Sequence, residues 1–153
     1  MNRAVGVALV VVAQLACVGA AVAPQLSSRL TGHDYPMEVR PLDPIDPFRG
    51  AYVTLDYPGL RPLHEAAPTR GEVFVPLVEE DGLWVAASVT ARRPDSGPYL
   101  ACEDRGWVTD CGIGSWFADQ ERATELERTL ADEGGVATVR IDDRGRAAVV
   151  DVR

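Results

Sequence analysis

Three carboxylates, two histidines and a pair of cysteines are the side chains whose types and spacing could do chemistry. Asp43 and Asp46 each precede a proline, and Asp56 sits near the end of an alternating run. Together they could bind a hard cation or supply the paired carboxylates that a hydrolase uses as general acid and base. The competing reading is structural, because Asp-Pro steps are turn and extension devices in which Asp accepts backbone hydrogen bonds. The two histidines, His33 and His64, lie in a polar stretch and a proline-rich loop. A Ser–His–Asp arrangement needs a histidine held in rigid geometry, and neither position offers that. Nothing has the ligand spacing of a zinc site. Gly112-Ile113-Gly114 is a bare G-x-G without the third glycine of a phosphate loop. The reading therefore assigns no catalytic residue, no metal and no cofactor.

The cations narrow the field further. All 15 basic residues are Arg and Lys is absent. Schiff-base catalysis, a Ser–Lys nucleophile and a Walker phosphate loop each require lysine and are excluded. A formal charge of −8 without any basic block also argues against nucleic-acid binding, where phosphate neutralisation supplies most of the affinity.

Cys102 and Cys111 enclose eight residues, a spacing that a short hairpin can close. In an oxidising compartment the pair is expected to be a disulfide; in a reducing one it would be two buried thiols. Closing so short a loop is worth about 2.5–3 kcal/mol. C-x8-C lacks the close spacing that tunes a redox-active thiolate.

The compartment is set by the N-terminus. Residues 4–23 carry no charge, and Gln14 is their one strongly polar side chain. About twenty helical residues span roughly 30 Å of hydrocarbon. The leading expectation is a single transmembrane helix. A secretory signal is the alternative, with Ala21-Val22-Ala23 as a small-x-small site that Pro24 would obstruct and Val18-Gly19-Ala20 as a second. The third reading is a lipoprotein acylated at Cys17, against which Gln14 and the continuing apolar sequence both count. All three send residues 24–153 to the same side. Arg3 before the span gives a weak bias for an internal N-terminus, although Arg29 follows it. The exported part then carries every arginine but Arg3 and all 23 acidic residues.

These side chains must be positioned by the elements that follow. Residues 24–34 read as a polar spacer, and residues 35–153 as one β-rich domain. Met37–Arg40 alternates, and Pro41, Pro44 and Pro47 hold the chain extended. In the run 51–57, Val53, Leu55 and Tyr57 would share one strand face. Leu60–Arg70 reads as a loop. Glu72–Glu79 and Leu83–Arg92 form a hairpin across Glu80-Asp81-Gly82, with Pro76 suggesting an edge strand or a bulge. A second hairpin turns at Asp104-Arg105-Gly106. Asp119 caps a helix over Gln120–Asp132 whose apolar stripe is Ala123, Leu126 and Leu130. A terminal hairpin pairs Val136–Ile141 with Arg146–Val152. The fold class is α+β: a mainly antiparallel β domain with one amphipathic helix, preceded by the transmembrane helix.

Two stretches carry a resemblance. In Asp43–Tyr57, Gly50, Tyr52, Leu55 and Tyr57 fall on the four signature places of the GDYXXLXY family of membrane-anchored bacterial proteins, after a similar DP…DP-x-RG run. Cys111–Phe117 (CGIGSWF) is similar to the family's later block, which precedes a Glu-rich helix. Ala51 departs from the pattern, standing where the name-giving motif has Asp, so any function of that Asp is missing here. The resemblance implies an extracytoplasmic domain on one N-terminal span, with no biochemical role attached.

The expected function follows from what the sequence lacks: a membrane-tethered module that binds or assists another envelope protein, such as a multi-pass membrane protein. A carboxylate hydrolase at Asp43, Asp46 and Asp56 is the alternative, and a ligand-binding protein with an apolar pocket is a third reading. Among Tyr52, Tyr57, Trp84, Trp107, Trp116 and Phe117, most are expected in the core, with an exposed aromatic patch as the other possibility.

Overall fold

A computed structural model of the chain describes residues 3–41, 52–65, 70–117 and 120–153. Asp43, Asp46 and Gly50 lie outside the described residues, as does the cap position Asp119.

Helix α1 runs Arg3–Thr31 over 29 residues. Its apolar stretch Val5–Ala23 has a mean hydropathy of 2.5 and none of it is buried by the rest of the chain. By length and composition it can cross a membrane. Within the stretch read as a polar spacer the helix continues to Thr31, and strand β1 (His33–Pro41) begins two residues later. Polar sequence lacks a period of its own, and here the helix is held by contacts with the domain described below.

The domain comprises β2 (Tyr52–Asp56), a 3-10 turn (Pro58–Leu60), a short helix α2 (Arg61–Glu65), β3 (Gly71–Glu80), β4 (Leu83–Ala86), β5 (Tyr99–Asp104), β6 (Thr109–Asp110), β7 (Ser115–Phe117), helix α3 (Gln120–Glu133), β8 (Gly135–Ile141) and β9 (Ala147–Val152). The stretch expected to be a loop after Leu60 thus holds α2. Pro62 at the second position of that helix loses no backbone bond, since the first N–H groups of a helix are free.

The strands form two antiparallel sheets, one of order β7-β2-β1-β8-β9 and one of order β4-β3-β5-β6. Pro76 lies in the central strand β3, not at an edge. It is tolerated because β4 stops at Ala86. The Pro76 carbonyl accepts from Ala87 N at 2.9 Å, and pairing resumes only at a Phe74–Thr90 bridge. The missing N–H faces that break in the ladder. Asp81 and Gly82 make the two-residue β3–β4 turn with φ of 51° and 83°, the left-handed pair that a tight hairpin requires.

Alternation builds the core. Met37 and Val39 of β1, Val53 and Leu55 of β2, Val73, Val75 and Leu77 of β3, and Ala137, Val139 and Ile141 of β8 are all buried. With Leu100 and Cys102 of β5 they form one cluster shared by both sheets. Ala123 and Leu130 of α3 join it, with Leu126 packed at its margin, so the predicted helical stripe is the buried one. Tyr35 of β1 meets Trp84 of β4 edge to face at 5.0 Å, joining the sheets near one end.

Candidate functional site

The two signature stretches come together as one strand pair. Tyr52, Val53 and Thr54 of β2 stand opposite Phe117, Trp116 and Ser115 of β7. Leu55 N donates to Gly114 O at 3.0 Å. Tyr57, only 5% exposed, donates its phenol hydrogen to the Ile113 carbonyl at 2.9 Å. Burial raises the Tyr57 phenol above the ordinary tyrosine range. Leu55, Tyr57 and Ile113 are core residues, so these motif positions build the domain. Trp116 Nε1 is buried without a hydrogen-bond partner among the described residues.

Segment 111–117 also reaches the other sheet. Cys111 forms the expected disulfide with Cys102 of β5, with their Cα atoms 4.2 Å apart. The bond ties the start of the β7 segment to β5, while Tyr57 and the β2 ladder hold its remainder.

A second cluster joins α1 to the domain. Ser27 Oγ donates to Asp142 Oδ2 at 2.7 Å. Asp142 Oδ1 accepts from the backbone N–H groups of Arg144 at 2.9 Å and Arg146 at 3.0 Å, closing the β8–β9 turn. Burial pulls the Asp142 carboxyl upward, but these three hydrogen bonds and the nearby Arg146 charge outweigh it and hold the group below the usual carboxylate range. Arg140 grips Asp34 through two nitrogens at 2.6 and 2.9 Å and also donates to the Arg29 carbonyl at 3.0 Å. The Arg140 hydrogen bond lowers the proton affinity of Asp34. Ser28 is 1% exposed. Gly32 must be glycine: a β-carbon there would lie 2.6 Å from Ser28 O, 2.7 Å from Arg140 Cγ and 2.8 Å from Ile141 O. Sequence reading missed this junction, and Gly32 beside a polar stretch was its only trace.

Two open cavities flank the β8–β9 turn, with Arg93 common to both. One, of about 530 Å3, is lined by Arg93, Arg144 and Arg146, by Glu72, Glu103 and Asp110, and by the disulfide. Glu72 faces Glu103, and Glu103 faces Asp110, in one cross-strand row. The other, of about 690 Å3, includes His33, Tyr35, the loop 93–98 and Asp142-Asp143. Charged side chains line both, unlike the apolar pocket of the third reading. Asp56 is half-buried and stands opposite Arg40 across the β1–β2 pair. Among the described residues, no group of three or more His, Cys, Asp or Glu is placed to hold a metal ion.

Of the six aromatic residues, Tyr57 is in the core and Trp84 and Trp116 pack against it, whereas Trp107 and Phe117 are 84% and 76% exposed. The Tyr52 side chain lies outside the described atoms.

No curated protein and no solved structure matches the chain. A family model described as "GDYXXLXY protein" matches residues 14–152. That match takes in both strands of the Tyr57–Ile113 pair, the disulfide and the junction with α1: the chain belongs to the GDYXXLXY family.

Proposed function

We propose that the protein is a single-pass membrane protein whose β-rich domain stands outside the cytoplasm and binds or assists another envelope protein, one with its own membrane spans. The observation that carries this reading is the bare apolar surface of α1. Its side chains from Val5 to Val22 are exposed while the domain already has a complete core of its own. Apolar surface of that extent and length supports burial in lipid.

The uncleaved reading is supported by continuity, since α1 passes from Ala23 to Thr31 without a break. An external domain is supported by the disulfide, which persists in oxidising compartments, and by Arg3 ahead of the span. An accessory role is supported by the site itself, where the motif residues are spent on packing.

Membrane fractions washed with alkaline carbonate should retain the full-length chain. A phosphatase fused to its C-terminus should be active only if exported. A soluble chain lacking residues 1–23 would replace the anchor with a secretion signal, and an inactive fusion would reverse the orientation. Co-purification of one specific membrane protein after mild solubilisation supports the accessory role.

A further inference from the structure

The charges around the 530 Å3 cavity are sorted by element. β3, β5 and β6 supply Glu72, Glu103 and Asp110, while the loop before β5 and the β8–β9 turn supply Arg93, Arg144 and Arg146. Opposite charges lining one cavity would ordinarily pair, yet among the described residues no ion pair joins the two groups. Asp110 has Arg105 at 3.7 Å, outside the cavity, with both side chains more than half exposed. Glu72 and Glu103 stand directly opposite each other, an arrangement that costs energy while nothing neutralises it.

The fold holds the two groups apart. Alternation puts Tyr99, Ala101 and Glu103 on one face of β5, with Phe74 across from Ala101. The Arg93 guanidinium lies 5.4 Å from the centre of the Tyr99 ring and donates to the Asp143 carbonyl at 2.8 Å, which pins it at that end. Glu103 is four residues further on, about 13 Å along the strand. Between them Ala101 presents only a methyl group. Its N–H donates to the Gly145 carbonyl at 2.8 Å and seats the β8–β9 turn there, where a β-carbon on Gly145 would strike the Tyr99 ring. Asp142 closes that turn through the backbone N–H groups of Arg144 and Arg146, so both guanidinium groups stay available beside the cavity.

We infer that this cavity binds a short peptide with free ends, its carboxylate at the three arginines and its ammonium at the carboxylate row. The volume is that of a small-ligand site. A dipeptide spans about 7 Å, and the reach of the arginine and glutamate side chains closes the remaining distance. A single amino acid carries both charges on one residue and is too short to meet both groups. A lone cation suits the carboxylates poorly, since among the described residues no three are grouped to hold a metal ion. Arginine forks match a carboxylate in both geometry and charge. The inference does not depend on the anchored reading above.

The test is calorimetric titration of the detergent-solubilised full chain with alanyl-alanine, its N-acetyl form, its C-terminal amide and glycerophosphoethanolamine. Alanyl-alanine should bind at millimolar concentrations, and blocking either end should weaken it about tenfold. Glu103→Gln and Arg144→Gln should each weaken alanyl-alanine about two- to fivefold, as expected for exposed charges. Glu103→Gln should reduce the discrimination against the N-acetyl form, and Arg144→Gln that against the amide. Both variants keep the backbone bonds to Asp142 and should keep the unfolding midpoint. Absence of binding, equal binding of the blocked forms, or variants that bind all four probes like the native chain would each overturn the proposal. Tighter binding of glycerophosphoethanolamine would also overturn it, in favour of a lipid headgroup.

Discussion

The Tyr57 hydroxyl and the Ile113 carbonyl, 56 residues apart in sequence, meet at 2.9 Å in the core. With the β2–β7 ladder, this hydrogen bond joins the two stretches that carry the family resemblance. Replacing Tyr57 by Phe leaves the ring in place and removes the partner of a buried carbonyl. The loss expected is about 1–3 kcal/mol. Tyr57→Ala adds a cavity and should cost about 3–5 kcal/mol. Urea unfolding of the detergent-solubilised chain, followed by near-ultraviolet circular dichroism, measures both; equal losses for the two variants would mean that the ring does not pack.

Alkali should act through the same residue. Burial raises the folded-state phenol affinity of Tyr57 above its ordinary value of 10, and burial with the Asp143 charge does the same to Tyr35. A raised folded value means that the contribution is fully present below the unfolded value. Stability should therefore be flat with respect to these groups up to about pH 10 and fall above it as unfolded tyrosines ionise. Spectrophotometric titration should find Tyr57 and Tyr35 ionising above the ordinary tyrosine range. In Tyr57→Phe the alkaline fall becomes shallower.

Reduction of Cys102–Cys111 should cost about 2.5–3 kcal/mol, because the unfolded chain regains the freedom of a short loop. The local consequence is more specific. With β7 only three residues long, the segment from Gly112 to Phe117 should exchange its amide hydrogens faster on reduction while β8 and β9 stay protected. Hydrogen exchange with and without reductant separates the two effects.

The junction between α1 and the domain predicts a different phenotype. Ser27→Ala removes a hydrogen bond to a carboxylate and should cost about 1.5–3 kcal/mol at the junction. Gly32→Ala cannot be accommodated without moving the backbone of Ser28 or Ile141. In both variants residues 24–33 should become open to proteolysis while the domain keeps its unfolding midpoint.

Acid should loosen the same junction. The Asp142 carboxyl sits below its ordinary value of 3.8, so its contribution is present above that pH and is lost as the pH falls through the lowered range. Proteolysis between residues 24 and 33 should rise below about pH 4 in the native chain. In Ser27→Ala cleavage should already be high at neutral pH and should respond less to acid.

Local pattern accounted for much of the molecule. Twenty uncharged residues make a helix of membrane length in any context, because hydropathy and backbone hydrogen bonding are settled within the segment. Alternation identified the buried face of β2, the spacing of Ala123, Leu126 and Leu130 identified the buried side of α3, and the spacing of Cys102 and Cys111 was compatible with their bond. Each of these depends on neighbours a few residues away. What only the tertiary structure decided involves partners far apart in the chain. Pro76 could enter a central strand because β4 ends beside it. Residues 24–31 became helical with Asp142 and Arg140 to hold them, more than a hundred positions away. Tyr57 found Ile113, and the carboxylates of β3, β5 and β6 fell into one row through strand register. A periodic pattern reports which side of an element is apolar; it carries no information about which distant backbone or charge will meet that side, and the junction and the motif pair are made of those meetings.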